Sequence, residues 1–226
     1  MRKIYLLIVL LLILFILSSC GSDLLQAETS QTTINELQND YDKLKADYED
    51  LTEQNIRYND LIDNLNVLLS SVYYGYSNNE NFENEFTAFS LNYNDKYYLI
   101  TVGHAVEQDG QKYTDFKFKP NFSDEWIYPE LLTYKFDYDN KRTTLSYDYA
   151  IFYSNIIADG LIPEIDRDFP EFVLGNCKFN IVRNNGTAIP GESGSPIINL
   201  DGEVTGMLSA PFTDIDIILQ AIDELN

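Results

Sequence analysis

Histidine and cysteine are almost missing from this chain: His104, Cys20 and Cys177 are all it has in 226 residues. Two cysteines cannot build a disulfide framework, so a buried core has to hold the fold. One histidine and two cysteines also exclude the usual nitrogen and sulfur metal sites. Only carboxylate clusters remain, and the acidic run around Asp47, Glu49, Asp50 and Glu53 reads as a solvated helix face. No metal and no cofactor are expected. If the protein uses an imidazole base, that base is His104. Positive charge is scarce as well, with 15 Lys and Arg against 36 Asp and Glu, for a net charge of −21. Nucleic acid would be repelled, and so would an anionic lipid surface approached through basic residues. Aromatic residues are plentiful, with 17 Tyr and 13 Phe. They favour pleated, half-buried surfaces, so the core is expected to be rich in β-strands.

A long apolar run is lacking too. The run from Ile4 to Leu17 is shorter than the roughly 20 residues that a spanning helix needs. Arg2 and Lys3 precede it and small residues follow, which is the pattern of an export signal over residues 1–19. Leu17-Ser18-Ser19-Cys20 resembles the lipobox of bacterial lipoproteins. That resemblance implies a lipidated Cys20 as the mature N-terminus, on a bacterial cell membrane and facing outside the cytoplasm. Several acyl chains on one residue anchor stably, where one chain binds only marginally. The alternative is a signal anchor that stays uncleaved.

Residues 20–33 are polar and are expected to be a flexible linker. Apolar and aromatic residues then recur in alternating steps of three and four: Ile34, Leu37, Tyr41, Leu44, Tyr48, Leu51, Asn55, Tyr58, Ile62, Leu65, Leu69. With Ile34 at heptad position a, all of them fall on a or d, and the residues between are mostly charged or amide. Asn55 sits on a, where a buried amide sets register and favours two strands. Residues 34–70 are therefore expected to be a coiled-coil stalk, roughly 54 Å long at 1.5 Å per residue, and a route to a homodimer. The alternative is one amphipathic helix packed on its own domain.

From residue 71 to 226 the pattern becomes short strands. "FTAFSLNY" and "KYYLITVG" flank the turn Asn94-Asp95. "YTDFKFK", "LLTYKFD", "YAIFYS", "KFNIVRN", "SPIINL" and "EVTGMLS" follow, with a second tight hairpin at Asp201-Gly202-Glu203. Many short strands at such spacing indicate an antiparallel barrel or sandwich. Ile215, Ile218, Leu219 and Ile222 share one face of a terminal helix that Thr213 or Asp214 can cap.

Three residues in this region suit one another chemically. His104 ends an apolar strand, Asp148 enters another, and Ser193 lies in the glycine-flanked turn "IPGESGSPII". A hydroxyl is a weak nucleophile that needs a base, and the base needs an acid to fix its tautomer. Gly191 permits a turn in which its N–H and that of Ser193 face a developing oxyanion. "ITVGHAV", "DYAIF", "GESGSPI" and "GEVTGMLSA", in the order His–Asp–Ser, resemble the signatures of trypsin-like (chymotrypsin-fold) serine proteases of the bacterial kind. The resemblance runs from about Ser71 to the end.

The resemblance implies a mainly β fold. It would comprise two six-stranded antiparallel barrels with the site between them, followed here by the C-terminal helix and preceded by the coiled-coil helix. It implies Ser193 as nucleophile, His104 as base, Asp148 as orienting acid, and Gly191 and Ser193 as the oxyanion hole. It places Ser209 beside the substrate strand, with a hydroxyl able to contact the aspartate. Thr187 falls at the base of the specificity pocket, and Ala210 and Pro211 on its wall. The implied activity is peptide-bond hydrolysis on protein or peptide substrates. Departures are also visible. The interval from Asp148 to Ser193 is short for the family, so a compact second barrel is expected. Glu192 replaces the usual Asp or Asn and either faces solvent or pairs with a base such as Arg183. Ser195 is a rival hydroxyl that strand alternation turns away, and Cys177 reads as a small buried hydrophobe. Two other classes stay open: a tethered binding or adhesion protein on a protease-like fold, and a coiled-coil assembly scaffold.

Overall fold

The computed structural model describes residues 2–79, 82–108, 110–137, 147–166, 170–175, 191–209 and 212–225, with side chains from residue 31 on except at 108 and 137. Contacts divide the chain into two compact units, Met1–Ile56 and Arg57–Asn226.

The first unit is helical. Helix α1 spans Arg2–Ser70, so the stretch expected to be a flexible linker is helical. Neither Gly nor Pro interrupts the chain from Ser22 to Tyr74, and Leu, Gln, Ala and Glu carry high helix propensity. No helix among the described residues is long and apolar enough to cross a membrane. Side-chain bonds at i,i+4 line the exposed surface, among them Gln38 to Asp42 at 3.0 Å and Gln54 to Asp50 at 3.0 Å.

In the second unit the last turns of α1 are no longer free. Leu61, Leu65, Leu68 and Leu69 pack on the core. Arg57 donates from both nitrogens of its fork to Asp201, at 3.1 and 2.8 Å, and Tyr58 meets Phe172 edge-on. Residues 57–70 therefore behave as an amphipathic helix on their own domain, packing the seam residues Tyr58, Leu65 and Leu69 together with Leu61 and Leu68. The helix stops where Ser70 Oγ caps back on Val67 O and the β-branched, aromatic run from Val72 begins.

Among the described residues, eight strands lie between Val72 and Tyr153: β1 Val72–Asn78, β2 Glu83–Tyr93, β3 Lys96–Thr101, β4 Glu107–Gln108, β5 Gln111–Lys112, β6 Asp115–Pro120, β7 Glu130–Asp137 and β8 Tyr147–Tyr153. Six of them form one antiparallel sheet, ordered β6-β1-β2-β3-β8-β7, and β4 and β5 form a small hairpin. The turn between β2 and β3 has Asn94 and Asp95 at φ 53° and 58°, the two left-handed residues of a tight hairpin. Phe86, Phe118 and Phe152 fill the inside, with ring centroids 5.7 and 5.0 Å apart. Gly75 lies opposite Phe86 in the register, and a Cβ there would overlap the Phe86 ring. The glycine makes room for the aromatic core.

The second sheet contains β9 Phe172–Val173, β10 Pro196–Ile198, β11 Val204–Met207 and β12 Thr213–Asp214, in the order β12-β11-β10-β9. It is compact, as expected, with four strands among the described residues instead of six. The strand expected at Lys178–Asn184 lies outside the described residues. Asn199 Oδ1 accepts the N–H groups of Asp201 and Glu203 and so closes the β10–β11 hairpin. The connecting segment laces the sheets together: Leu161 pairs with β2 through Ser90 and Asn92, and Glu164 and Ile162 pair with Val204. Helix α2, Ile215–Asp223, buries Ile215, Ile218 and Ile222. Asp214 is its N-cap residue but makes no side-chain cap bond, and the Thr213 hydroxyl is used elsewhere, so the capping expectation fails.

Candidate active site

His104 sits where β3 ends, in the single 3₁₀ turn Gly103–Ala105. That turn passes hard against β7 and β8. A Cβ on Gly103 would overlap the Lys135 carbonyl oxygen and lie 3.0 Å from that of Tyr149, so only glycine lets the chain approach so closely. The approach brings His104 onto Asp148 of β8. Asp148 is 3% exposed, and both its oxygens are taken by the same residue. Oδ1 accepts the His104 backbone N–H at 2.9 Å, and Oδ2 lies 2.8 Å from Nδ1. A buried carboxylate is costly unless paired and hydrogen-bonded, and this one is both. A carboxylate can only accept, so Nδ1 carries the proton of the neutral ring and Nε2 presents a lone pair. Phe136 supports the imidazole edge-on at 5.9 Å. Beside Asp148 in the strand, burial and then the Glu224 carboxylate push the Tyr149 phenol up, so it stays neutral there.

Ser193 comes from the other sheet. Its turn has Gly191 at φ 91° and Gly194 at φ 93°, and Ser195 N–H donates to Glu192 O at 3.0 Å. The turn is bolted to the first sheet at one residue. Thr87 N–H donates to Ser193 O at 2.9 Å, and Thr87 Oγ1 donates to Gly191 O at 2.8 Å. Thr101, three residues before His104, donates from Oγ1 to Thr87 O at 2.6 Å. The strand carrying the histidine and the turn carrying the serine therefore share Thr87 as a hinge pin. Gly194 N–H and Leu208 N–H complete the attachment to the strand ahead of Ser209.

The space above the turn is open. A Cβ on Gly191 would meet nothing within 4 Å, so glycine is needed there for backbone angle and not for room. Among the described residues, the N–H groups of Gly191 and Ser193 and the Ser193 hydroxyl have no hydrogen-bond partner. Two free donors beside a free hydroxyl suit a substrate carbonyl. No hydrogen bond joins Ser193 Oγ to His104 in this state, which is common where the bond tightens only on substrate.

Ser209 departs from the expectation. Its hydroxyl pairs with Thr213 Oγ1 at 3.1 Å, and Thr213 Oγ1 donates to the Asp148 carbonyl at 3.2 Å. Ser209 therefore reaches the aspartate through Thr213 and at its main chain. Ser195 is fully buried and its Oγ has no partner among the described residues, which removes it as a rival nucleophile. Thr187, Ala210 and Pro211, together with Arg183 and Cys177, lie outside the described residues. Glu192 is half-buried. Thr87, Thr101 and Thr213 were missed in the sequence. The signal for them is a polar residue at a buried strand position, which must find a partner. No group of His, Cys, Asp or Glu among the described residues could hold a metal ion.

Replacing Thr213 with valine removes the donor to Asp148 O and the partner of Ser209 in a fully buried place. A loss of about 1–3 kcal/mol in stability is expected, read from the urea midpoint. An unchanged midpoint would mean that the Ser209–Thr213–Asp148 chain carries no load.

No family model matches this chain, and no curated protein matches it. Among solved structures it is similar to the active form of the Rv3671c protease from M. tuberculosis, at 13% identity and TM-score 0.49, over 72% of this chain and 83% of that one. It is similar to a serine endoprotease from Yersinia pestis at 14% identity and TM-score 0.48, over 70% of this chain and 63% of that one. It is also similar to the thermostable serine protease AL20 from an extremophilic microorganism, at 13% identity and TM-score 0.47, over 67% of this chain and 94% of that one.

Proposed function

We propose that the protein is a serine endopeptidase that works through Ser193, His104 and Asp148 by way of an acyl-enzyme. The observation that carries this is the double hydrogen bond from His104 to Asp148, which leaves Nε2 as the free base, with the Ser193 turn held to the same sheet through Thr87. Ser193 Oγ attacks the scissile carbonyl carbon while Nε2 takes its proton. The carbonyl oxygen becomes an oxyanion between the Gly191 and Ser193 N–H groups. The imidazolium, held by Asp148, gives its proton to the leaving amine as the C–N bond breaks. Water then repeats the cycle on the ester and restores Ser193. Each addition is followed by loss of a leaving group, first the amine and then Ser193 Oγ, and His104 carries the proton between them.

The same reading includes the address. Cys20 is the lipid attachment point of a bacterial lipoprotein, supported by the small residues before it and the short apolar run. The catalytic domain then works outside the cytoplasm at a membrane, on protein or peptide substrates, and α1 offers a surface for a second copy.

The test uses the chain from residue 20 on, with Cys20→Ala for solubility. It is incubated with a fluorophosphonate beside the same protein carrying Ser193→Ala, and the intact masses are compared. One adduct on the first and none on the second is expected. A folded protein that takes no adduct would overturn the endopeptidase reading. It would favour a binding protein on this fold, for which the open Ser193–His104 pair is the supporting observation.

A further inference from the structure

Among the described residues, the unit Met1–Ile56 exposes a stripe of large apolar side chains. Ile34, Leu37, Tyr41, Leu44, Tyr48 and Leu51 are between 57% and 70% exposed. They all fall on heptad positions a and d of an unbroken helix. A stripe of this length left in water is unfavourable, and in soluble proteins such surfaces mark interaction sites. From Arg57 on, the helix is claimed by its own domain: the seam residues Leu65 and Leu69 pack on the core together with Leu61 and Leu68, while Ile62 stays exposed. The uncovered seam therefore ends near Asn55.

We infer that this seam is occupied by a second copy of the same chain, in a parallel, in-register two-stranded coil from Ile34 to Asn55. The inference rests on the stalk reading of α1 and deepens it by fixing partner, direction and extent. The flanking charges choose the direction. Asp40 and Asp47 fall on g, and Lys45 falls on e. In a parallel pair each g residue faces the e residue five positions on in the other helix, so Asp40 meets Lys45 twice. In an antiparallel pair g faces g, and Asp40 would meet Asp47 across the seam, acid on acid. Asn55 on a adds a second register device, since its amide is satisfied across the seam only by another Asn55. A shift by one heptad would set each Asn55 against Tyr48 or Ile62. Both C-terminal domains then leave the coil at the same end. Two active sites are carried on one membrane-anchored stalk, and the two anchors add their membrane affinities.

The experiment uses the full chain in a Cys20→Ala, Cys177→Ala background, in whichever cell fraction it occupies, so that the introduced cysteine is the sole thiol and the result depends neither on activity nor on lipidation. Leu37→Cys and Leu51→Cys are made separately, both at exposed d positions, with Lys43→Cys at an outward c position as control. After mild oxidation the products are separated without reductant. In a parallel in-register coil, facing d residues lie within disulfide reach. Leu37→Cys and Leu51→Cys are each expected to shift to the mass of a dimer, Lys43→Cys to stay monomeric, and reductant to reverse the shift. A cross-link only when a Leu37→Cys chain is co-expressed with a Tyr48→Cys chain would mean an antiparallel pair and would overturn the proposal. So would equal cross-linking at Lys43, or none at either d position. Fluorophosphonate labelling of the same samples reads the endopeptidase proposal separately.

Discussion

Replacing Asp148 with asparagine is expected to lower the rate of ester or peptide hydrolysis by about 10⁴-fold, with the fold retained. The reason lies in how Asp148 spends its two oxygens. One accepts the His104 backbone N–H and the other accepts from Nδ1. Asparagine has one acceptor oxygen and one donor NH₂. The backbone N–H is fixed by the 3₁₀ turn, so it keeps the oxygen, and the NH₂ is left facing Nδ1. Two donors cannot face each other, so Nδ1 becomes the acceptor and the ring proton moves to Nε2. The nitrogen that should take the Ser193 proton then carries one of its own. Volume and burial hardly change, so far-UV circular dichroism and the urea midpoint should stay close to those of the parent while turnover and fluorophosphonate labelling collapse together. A loss of less than tenfold would mean that Asp148 does not set the tautomer, and the proposed division of labour would be wrong.

What the sequence made legible was local. The single histidine limited the base to one candidate, and the apolar run before it placed that candidate at a strand end. Period-two stretches marked β2, β3, β6, β7, β8, β10 and β11, and Asn94-Asp95 marked a turn that needs two left-handed residues. What stayed illegible depends on which strand lies beside which. Thr87 and Thr101 read as ordinary β-formers, and their bonds to the serine turn exist only because the second sheet docks on β2. Thr213 read as a helix cap because it stands just before α2. In the fold it faces Asp148, 65 positions away, which no local rule can see. The heptad reading of α1 fits the exposed seam down to Leu51. It cannot foresee that from Arg57 on the stripe carrying Leu61, Leu65 and Leu68 meets a domain surface. A propensity argument also misjudged residues 20–33, where polar composition was read as flexibility although no Gly or Pro follows Gly21 until Gly75.

Gly194→Ala is expected to be strongly destabilising to the unit Arg57–Asn226, with a cost above about 4 kcal/mol. Two penalties meet at this residue. Its φ of 93° is left-handed, a conformation that a Cβ alone makes unfavourable by about 1–2 kcal/mol. The added Cβ would also overlap the Thr87 carbonyl oxygen and lie 2.5 Å from Thr101 Oγ1. Neither neighbour can move cheaply, because that oxygen is backbone of a central strand and already accepts from Thr101 at 2.6 Å. The turn must therefore back away from β2, which breaks the Thr87 bonds to Ser193 O and Gly191 O together. Gly191→Ala is the control that separates the penalties, since it has a similar φ with open space around it. It should cost only the backbone term, about 1–2 kcal/mol. Urea denaturation of both variants measures the difference. If Gly194→Ala proves no worse than Gly191→Ala, the serine turn is not seated on Thr87, and the coupling between the two sheets that aligns Ser193 with His104 would have to be abandoned. If it is far worse and the surviving folded fraction takes no fluorophosphonate, the seat on Thr87 is what holds the nucleophile in place.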